Sequence, residues 1–148
     1  NYIEIFIKNF ILIPLPSFKT NLRKAVSQHR KLYFSDLGIR NALVKDFRPM
    51  HLRPDSGGVF ENFIISEIWK KKMNDGLLLS MYFYREYGGK EVDLVLENYH
   101  KEYRCFEIKQ QESDIEKVFP LPHDLRLIHG GNYAEMIGSI ISKMTQIT

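Results

Sequence analysis

The sequence predicts an α/β fold built on a mixed sheet, with a small N-terminal α/β appendage. Three observations carry that prediction. From residue 59 onward the apolar pattern reads as helix, three strands, helix, strand, helix. Stretches 91–96 and 103–109 are short, apolar and joined by turn residues, as paired strands should be. The chain has 148 residues, which suits one domain with a real core.

Residues 2–10 place Ile3, Phe6, Ile7 and Phe10 at helical spacing. Residues 11–15 read as a short strand stopped by Pro14 and Pro16. The stretch 20–31 is polar and basic, with Arg23, Lys24, His29, Arg30 and Lys31. Aromatics are not interleaved in it, which favours a solvated connector over a nucleic-acid patch. Residues 31–34 form a second short strand, and 36–43 a helical turn with Asp36 as its N-cap. Residues 48–58, with Pro49, Pro54, Gly57 and Gly58, read as a linker. The boundary falls there, separating a subdomain at 1–50 from a main domain at 51–148.

The next helix, 59–73, carries Phe60, Ile64 and Ile68 on one stripe and closes on Lys70, Lys71 and Lys72. Glu61 lies in line with Ile65 and Ile68, so its carboxylate faces the protein edge rather than open water. Residues 77–87 form an aromatic strand, and Gly88-Gly89 a two-residue hairpin turn into 91–96. A turn at 98–101 leads into 103–109. Ser113-Asp114-Ile115-Glu116 reads as a capping box opening a short helix that Pro120 and Pro122 end. Residues 125–128 are a strand, Gly130-Gly131 a turn, and Asn132 the cap of a last helix. That helix sets Tyr133, Met136, Ile137, Ile140, Ile141 and Met144 on one face.

Within this frame the acids stand out. Glu107 and Lys109 are two apart on a strand, hence on one face and roughly 7 Å apart along it, while Phe106 and Ile108 point into the core. Asp93 lies on the neighbouring strand. Asp93 and Glu107 could hold Mg²⁺ or Mn²⁺ with the backbone carbonyl of Ile108, since such cations take oxygen ligands and keep several waters. Lys109 could then orient a water or stabilise phosphate charge, and Glu61 could complete the shell. Spacing alone leaves a plain alternative open: Asp93 in a salt bridge with Arg85 or Lys90, and Glu107–Lys109 as an ion pair at a sheet edge. Arg85, Lys90 and Gln111 are the candidates for contacting a nucleic-acid backbone, with structural roles as the alternative.

Composition excludes several classes. The apolar and charged fractions, 44% and 26%, are those of an ordinary globular domain. The net charge of +3 is compatible with nucleic acid without requiring it. One cysteine, Cys105, rules out an internal disulfide framework and points to a reducing, cytoplasmic setting. It reads as a buried small residue, and the five histidines lack metal-ligand spacing. No apolar run reaches the ~18 residues of a membrane span. Gly88-Gly89-Lys90 is no P-loop, because Glu91 stands where Ser or Thr is needed.

Several blocks also resemble one known family. They are Lys31-Leu32-Tyr33-Phe34-Ser35-Asp36-Leu37-Gly38, Gly57-x-x-Phe60-Glu61-Asn62-Phe63, Tyr84-Arg85 and Gly89-Lys90-Glu91-Val92-Asp93-Leu94-Val95. In this order they resemble the C-terminal domain of unknown function of prokaryotic AAA-type ATPases. That family is similar to the PD-(D/E)XK, or restriction-endonuclease-like, superfamily. The resemblance implies a restriction-endonuclease-like core. Glu61 would be the helix acid, Asp93 the motif aspartate, and Glu107 and Lys109 the E-x-K pair. Val92 stands where the superfamily motif has proline. The resemblance also implies an upstream ATPase domain in the same chain as partner, with any ATP bound there. The chain opens inside an apolar-periodic segment, which predicts a longer protein.

Two functions are expected from this reading. One is a metal-dependent DNA nuclease or DNA-processing domain using Asp93, Glu107, Lys109 and Glu61. The other is an inactive domain of the same fold that serves the ATPase as an interaction or regulatory module.

Overall fold

A computed structural model describes residues 1–20 and 29–144 of the chain. The basic stretch around Arg23 and Lys24 lies outside the described residues, as do the side chains of Ile141 and Met144.

The chain starts with helix α1, Tyr2–Lys8, where the Asn1 side chain accepts the Ile3 N–H and Lys8 closes the last turn. Strands β1 (Leu12–Pro16) and β2 (Arg30–Phe34) form an antiparallel hairpin, pairing Leu12 with Phe34 through Pro16 with Arg30. Helix α2, Leu37–Val44, is capped by Asp36, whose carboxylate accepts the Gly38 N–H, as its sequence predicts. A single 3₁₀ turn at Met50–Leu52 follows.

Helix α3 runs Ser56–Asn74. It begins three residues earlier than the glycines suggested, so Gly57 and Gly58 lie inside its first turn. The Asp55 carbonyl already accepts the Val59 N–H, while the Asp55 carboxylate is taken by Arg40 and Arg53. Pro54 sets the boundary, and two glycines in one turn cost less than the packing of the turns that follow. Gly76, at φ +61°, ends the helix in the left-handed region.

Four strands make the main sheet: β3 (Ser80–Arg85), β4 (Glu91–Glu97), β5 (Tyr103–Ile108) and β6 (His123–Ile128). Their spatial order is β3-β4-β5-β6, antiparallel except for the parallel β5–β6 pair. The sheet is therefore mixed, as predicted. The turn between β3 and β4 is longer than a two-residue hairpin. The Glu86 N–H donates to the Lys90 carbonyl, leaving three residues, 87–89, in the loop, with Gly89 at φ +91°.

The short helix predicted to open at 113–116 and end at Pro120 does not form, and β5 reaches β6 through irregular chain. The glutamate of the capping box reaches instead for Lys90, at 2.7 Å. Phe119 is drawn onto the sheet against Phe18, Tyr84, Tyr103 and His123, at ring-centroid distances of 5.0 to 5.4 Å. Between the box and Pro120 there is room for less than two turns, too few to pay for helix nucleation without packing of their own.

The last helix, α4, spans Tyr133–Met144. With α3 it covers one face of the sheet, where Ile64, Ile65, Ile68 and Ile140 pack on Leu94, Leu96, Phe106, Ile108 and Ile128. Ile13, Leu15 and Tyr33 of the N-terminal hairpin join that same core. The opposite face holds Val92, Val95 and Cys105 beneath Phe18 and Phe119. No helix among the described residues is long and apolar enough to cross a membrane.

Candidate active site

The site begins with an irregularity in β4. Tyr82 pairs with Val95 and Tyr84 with Val92, so Phe83 stands opposite two residues, Asp93 and Leu94. This is a β-bulge. Val92 and Val95, three apart, consequently pack on the same face, which unbroken alternation forbids. The β4–β5 ladder runs from Glu97–Tyr103 to Leu94–Phe106. Where it stops, the Asp93 carboxylate takes over and accepts the Ile108 N–H at 2.8 Å. A side chain thus serves as the ladder partner of β5.

That contact sets Asp93 beside Glu107, close enough for the Asp93 charge to act on the Glu107 carboxyl. Burial raises the pKa of both. For Asp93 the Ile108 N–H works against the rise, and Glu61 adds to it. For Glu107, burial and then the Asp93 charge lift the carboxyl from 4.5 to about 7, against the pull of Lys109. Lys109 lies just beyond β5, its ammonium 3.6 Å from Glu107 Oε2 and half exposed. Phe106 and Ile108 point into the core, as predicted.

The sign of this shift sets a pH dependence. Glu107 has a folded pKa above its unfolded value, so its contribution to stability is complete below pH 4.5 and is lost as pH rises through about 7. The wild type should lose roughly 2 kcal/mol between pH 5 and pH 8 that Glu107→Gln does not lose. Chemical denaturation of both proteins across that range measures it. A wild-type-minus-variant difference that stays constant with pH would contradict it.

Glu61, in the second turn of α3, accepts the Tyr33 hydroxyl at 2.5 Å and lies 3.5 Å from the Lys31 ammonium. Burial and the Glu61 charge raise the Tyr33 phenol well above its ordinary value, so it acts as a donor. Lys31 also hydrogen-bonds Glu91 Oε1, and Arg85 holds Glu91 Oε2 at 2.5 Å. Burial opposes the charge on Glu91, but the hydrogen bonds from Lys31 and Arg85 outweigh it and keep its pKa low.

Of the residues singled out in the sequence, Asp93, Glu107 and Lys109 thus come together, with Glu61 close enough for its charge to act on Asp93. Arg85 pairs with Glu91 and Lys90 with Glu116, so neither plugs the Asp93–Glu107 pair. Gln111 is exposed. Cys105 is buried, its thiol pushed up to about 12 by burial and the Glu107 charge. Sequence reasoning missed Lys31, Tyr33 and Glu91. Part of the signal was available, because Lys31 and Tyr33 are two apart on one strand and so share a face, and a lysine beside an aromatic on an inward face needs an acid.

Among the described residues no three His, Cys, Asp or Glu side chains form a ready metal-holding group. The donor chemistry of the pair nonetheless suits a hard divalent ion. Mg²⁺ characteristically binds through one or two carboxylates and keeps its waters, and a cation could offset the charge that Asp93 and Glu107 place side by side.

A family model described as a domain of unknown function (DUF4143) matches residues 56–126. The matched stretch contains Glu61, Asp93, Glu107 and Lys109, while Lys31 and Tyr33 lie outside it. No curated protein and no solved structure matches the chain.

Proposed function

We propose that the chain is a metal-dependent phosphodiesterase acting on DNA, with a restriction-endonuclease-like core, attached in its full protein to a cytoplasmic AAA-type ATPase. The observation that carries the reading is that Asp93, bound to the Ile108 N–H, stands beside Glu107 with Lys109 at the rim. Asp93 and Glu107, with the Ile108 carbonyl, would hold Mg²⁺ or Mn²⁺. When bound, such an ion lowers the pKa of a coordinated water and neutralises charge building on the phosphate.

The chain's own groups do the rest. The Ile108 N–H fixes one Asp93 oxygen and leaves the other for the ligand. The Lys109 ammonium, half exposed beside Glu107, reaches outward to a phosphate oxygen and offsets its developing negative charge. Glu61, held by Tyr33, keeps a negative potential behind Asp93. Arg85 and Lys90 are more than half exposed despite their ion pairs, and with Gln111 they offer donors to a DNA backbone.

The test is a Mn²⁺-dependent cleavage assay on supercoiled and linear DNA, using the full-length protein. Asp93→Ala and Lys109→Ala should each lose at least about 10²-fold in rate. Cutting that survives both substitutions would overturn the assignment.

A second reading has one specific observation behind it. Lys31 already engages Glu61, and the described residues form no three-carboxylate group. The fold would then serve as a binding or regulatory module of the ATPase. Absence of Mn²⁺ binding at Asp93–Glu107, together with a partner that co-purifies, would favour it.

A further inference from the structure

Lys31 and Glu91 have no part in the reaction as written, yet they are heavily bonded charges close to the acid pair. Lys31 leaves β2 on its inward side, opposite the buried Leu15. Its side chain is only 26% exposed. The ammonium hydrogen-bonds Glu91 Oε1, lies 3.5 Å from Glu61 Oε1, and sits 5.2 Å from the centre of the Phe83 ring. Phe83 is the residue opposite the bulge at Asp93 and Leu94. The cation therefore rests between an aromatic face and two carboxylates, on the flank of a third. Burial alone would lower the pKa of Lys31, but the Glu91 hydrogen bond and the charges of Glu61, Glu91 and Asp93 more than reverse that effect.

We propose that Lys31 is a built-in cation of the acid face, a positioning residue that fixes Glu61 and Glu91 and excludes a second divalent ion from them. The inference rests on the reading of Asp93 and Glu107 as cation holders, but concerns a different flank of the cluster. With all groups ionised, Glu61, Glu91, Asp93 and Glu107 face Lys31, Arg85 and Lys109, a net charge of −1. One divalent ion at Asp93–Glu107 reverses that charge, and a second beside Glu61 would have to share its space with an ammonium. Removing the ammonium leaves Glu61 and Asp93 half-buried without it, a setting that attracts a cation with oxygen preference. Tyr33 fits the same arrangement. Its hydroxyl donates to the Glu61 oxygen that Lys31 approaches, so the carboxylate is turned toward β2.

The experiment counts Mn²⁺ bound to the full-length protein, by calorimetry and by the loss of free-Mn²⁺ paramagnetic signal. The wild type should bind one ion. Lys31→Met should bind two, and the added ion should disappear in the double variant Lys31→Met/Glu61→Gln. Lys31→Arg, which keeps the charge, should retain the wild-type count. If Lys31→Met does not fold, Lys31→Gln keeps most of the stem and a donor to Glu91, and should show the same gain. A structural role alone would change stability in these variants without changing the number of ions.

The outcomes separate the two readings. One ion in the wild type and one in Lys31→Met and Lys31→Gln overturns the role of Lys31 and leaves the Asp93–Glu107 site standing. No ion in the wild type, with one gained through Glu61 in Lys31→Met, supports the built-in cation and overturns the nuclease reading.

Discussion

Replacing Asp93 with asparagine is expected to abolish Mn²⁺-dependent cleavage while leaving the fold intact. Under the proposed reading the carboxylate would supply a charge to a bound ion; it accepts the Ile108 N–H at 2.8 Å, and the two roles separate by substitution. Asparagine keeps a carbonyl oxygen for the amide but has no negative charge, so a bound ion would lose a charged ligand. The loss should reach about 10³-fold or more, corresponding to several kcal/mol of transition-state stabilisation. Melting temperature should hold or rise, because one of two coupled buried carboxylates is neutralised. Asp93→Ala removes the acceptor as well and should lose about 1–3 kcal/mol of stability besides the activity. Cleavage, Mn²⁺ titration and thermal melting of both variants check this. An Asp93→Asn protein that still cuts at a tenth of the wild-type rate would refute the role.

The second large effect is expected at Asn62. It is buried in α3, where its Oδ1 accepts the Phe34 N–H at 2.9 Å and its Nδ2 donates to the Phe34 carbonyl at 2.8 Å. One amide side chain thus pairs with β2 as a neighbouring strand would. Asn62→Ala leaves a donor and an acceptor of the strand without partners and should cost about 2–4 kcal/mol. Since β2 carries Lys31 and Tyr33, the damage should spread to the acid face. Urea unfolding is expected to show the lost stability, and amide exchange should be fastest along β2 and β1. A cost under about 1 kcal/mol would mean that the hairpin is held by its apolar contacts with α3 instead.

The paired strands β4 and β5 were legible in the sequence because apolar runs, glycines and a turn at 98–101 all pointed the same way. Asp93, Glu107 and Lys109 were legible for a related reason, since a charge inside an apolar strand needs a partner or a ligand. The bulge was not legible. Residues 91–96 read as regular strand, and the extra residue shows only when β4 is laid against β3. The helix expected to open at 113–116 had the right local letters, but Glu116 and Phe119 found better partners across the fold. Lys31 and Glu91 are sixty residues apart, so no local pattern joins them. Local chemistry thus identified the acids, while tertiary contact decided which cations answer them.

The hydrogen bond from Ile108 to Asp93 has one more consequence. A backbone amide that donates to a carboxylate rather than a carbonyl senses the charge on its acceptor directly. The Ile108 N–H resonance therefore moves when Asp93 gains or loses a proton or when a cation draws on its oxygens. The bulge has in effect wired a spectroscopic gauge into the sheet, one that reads the state of the acid pair without any label.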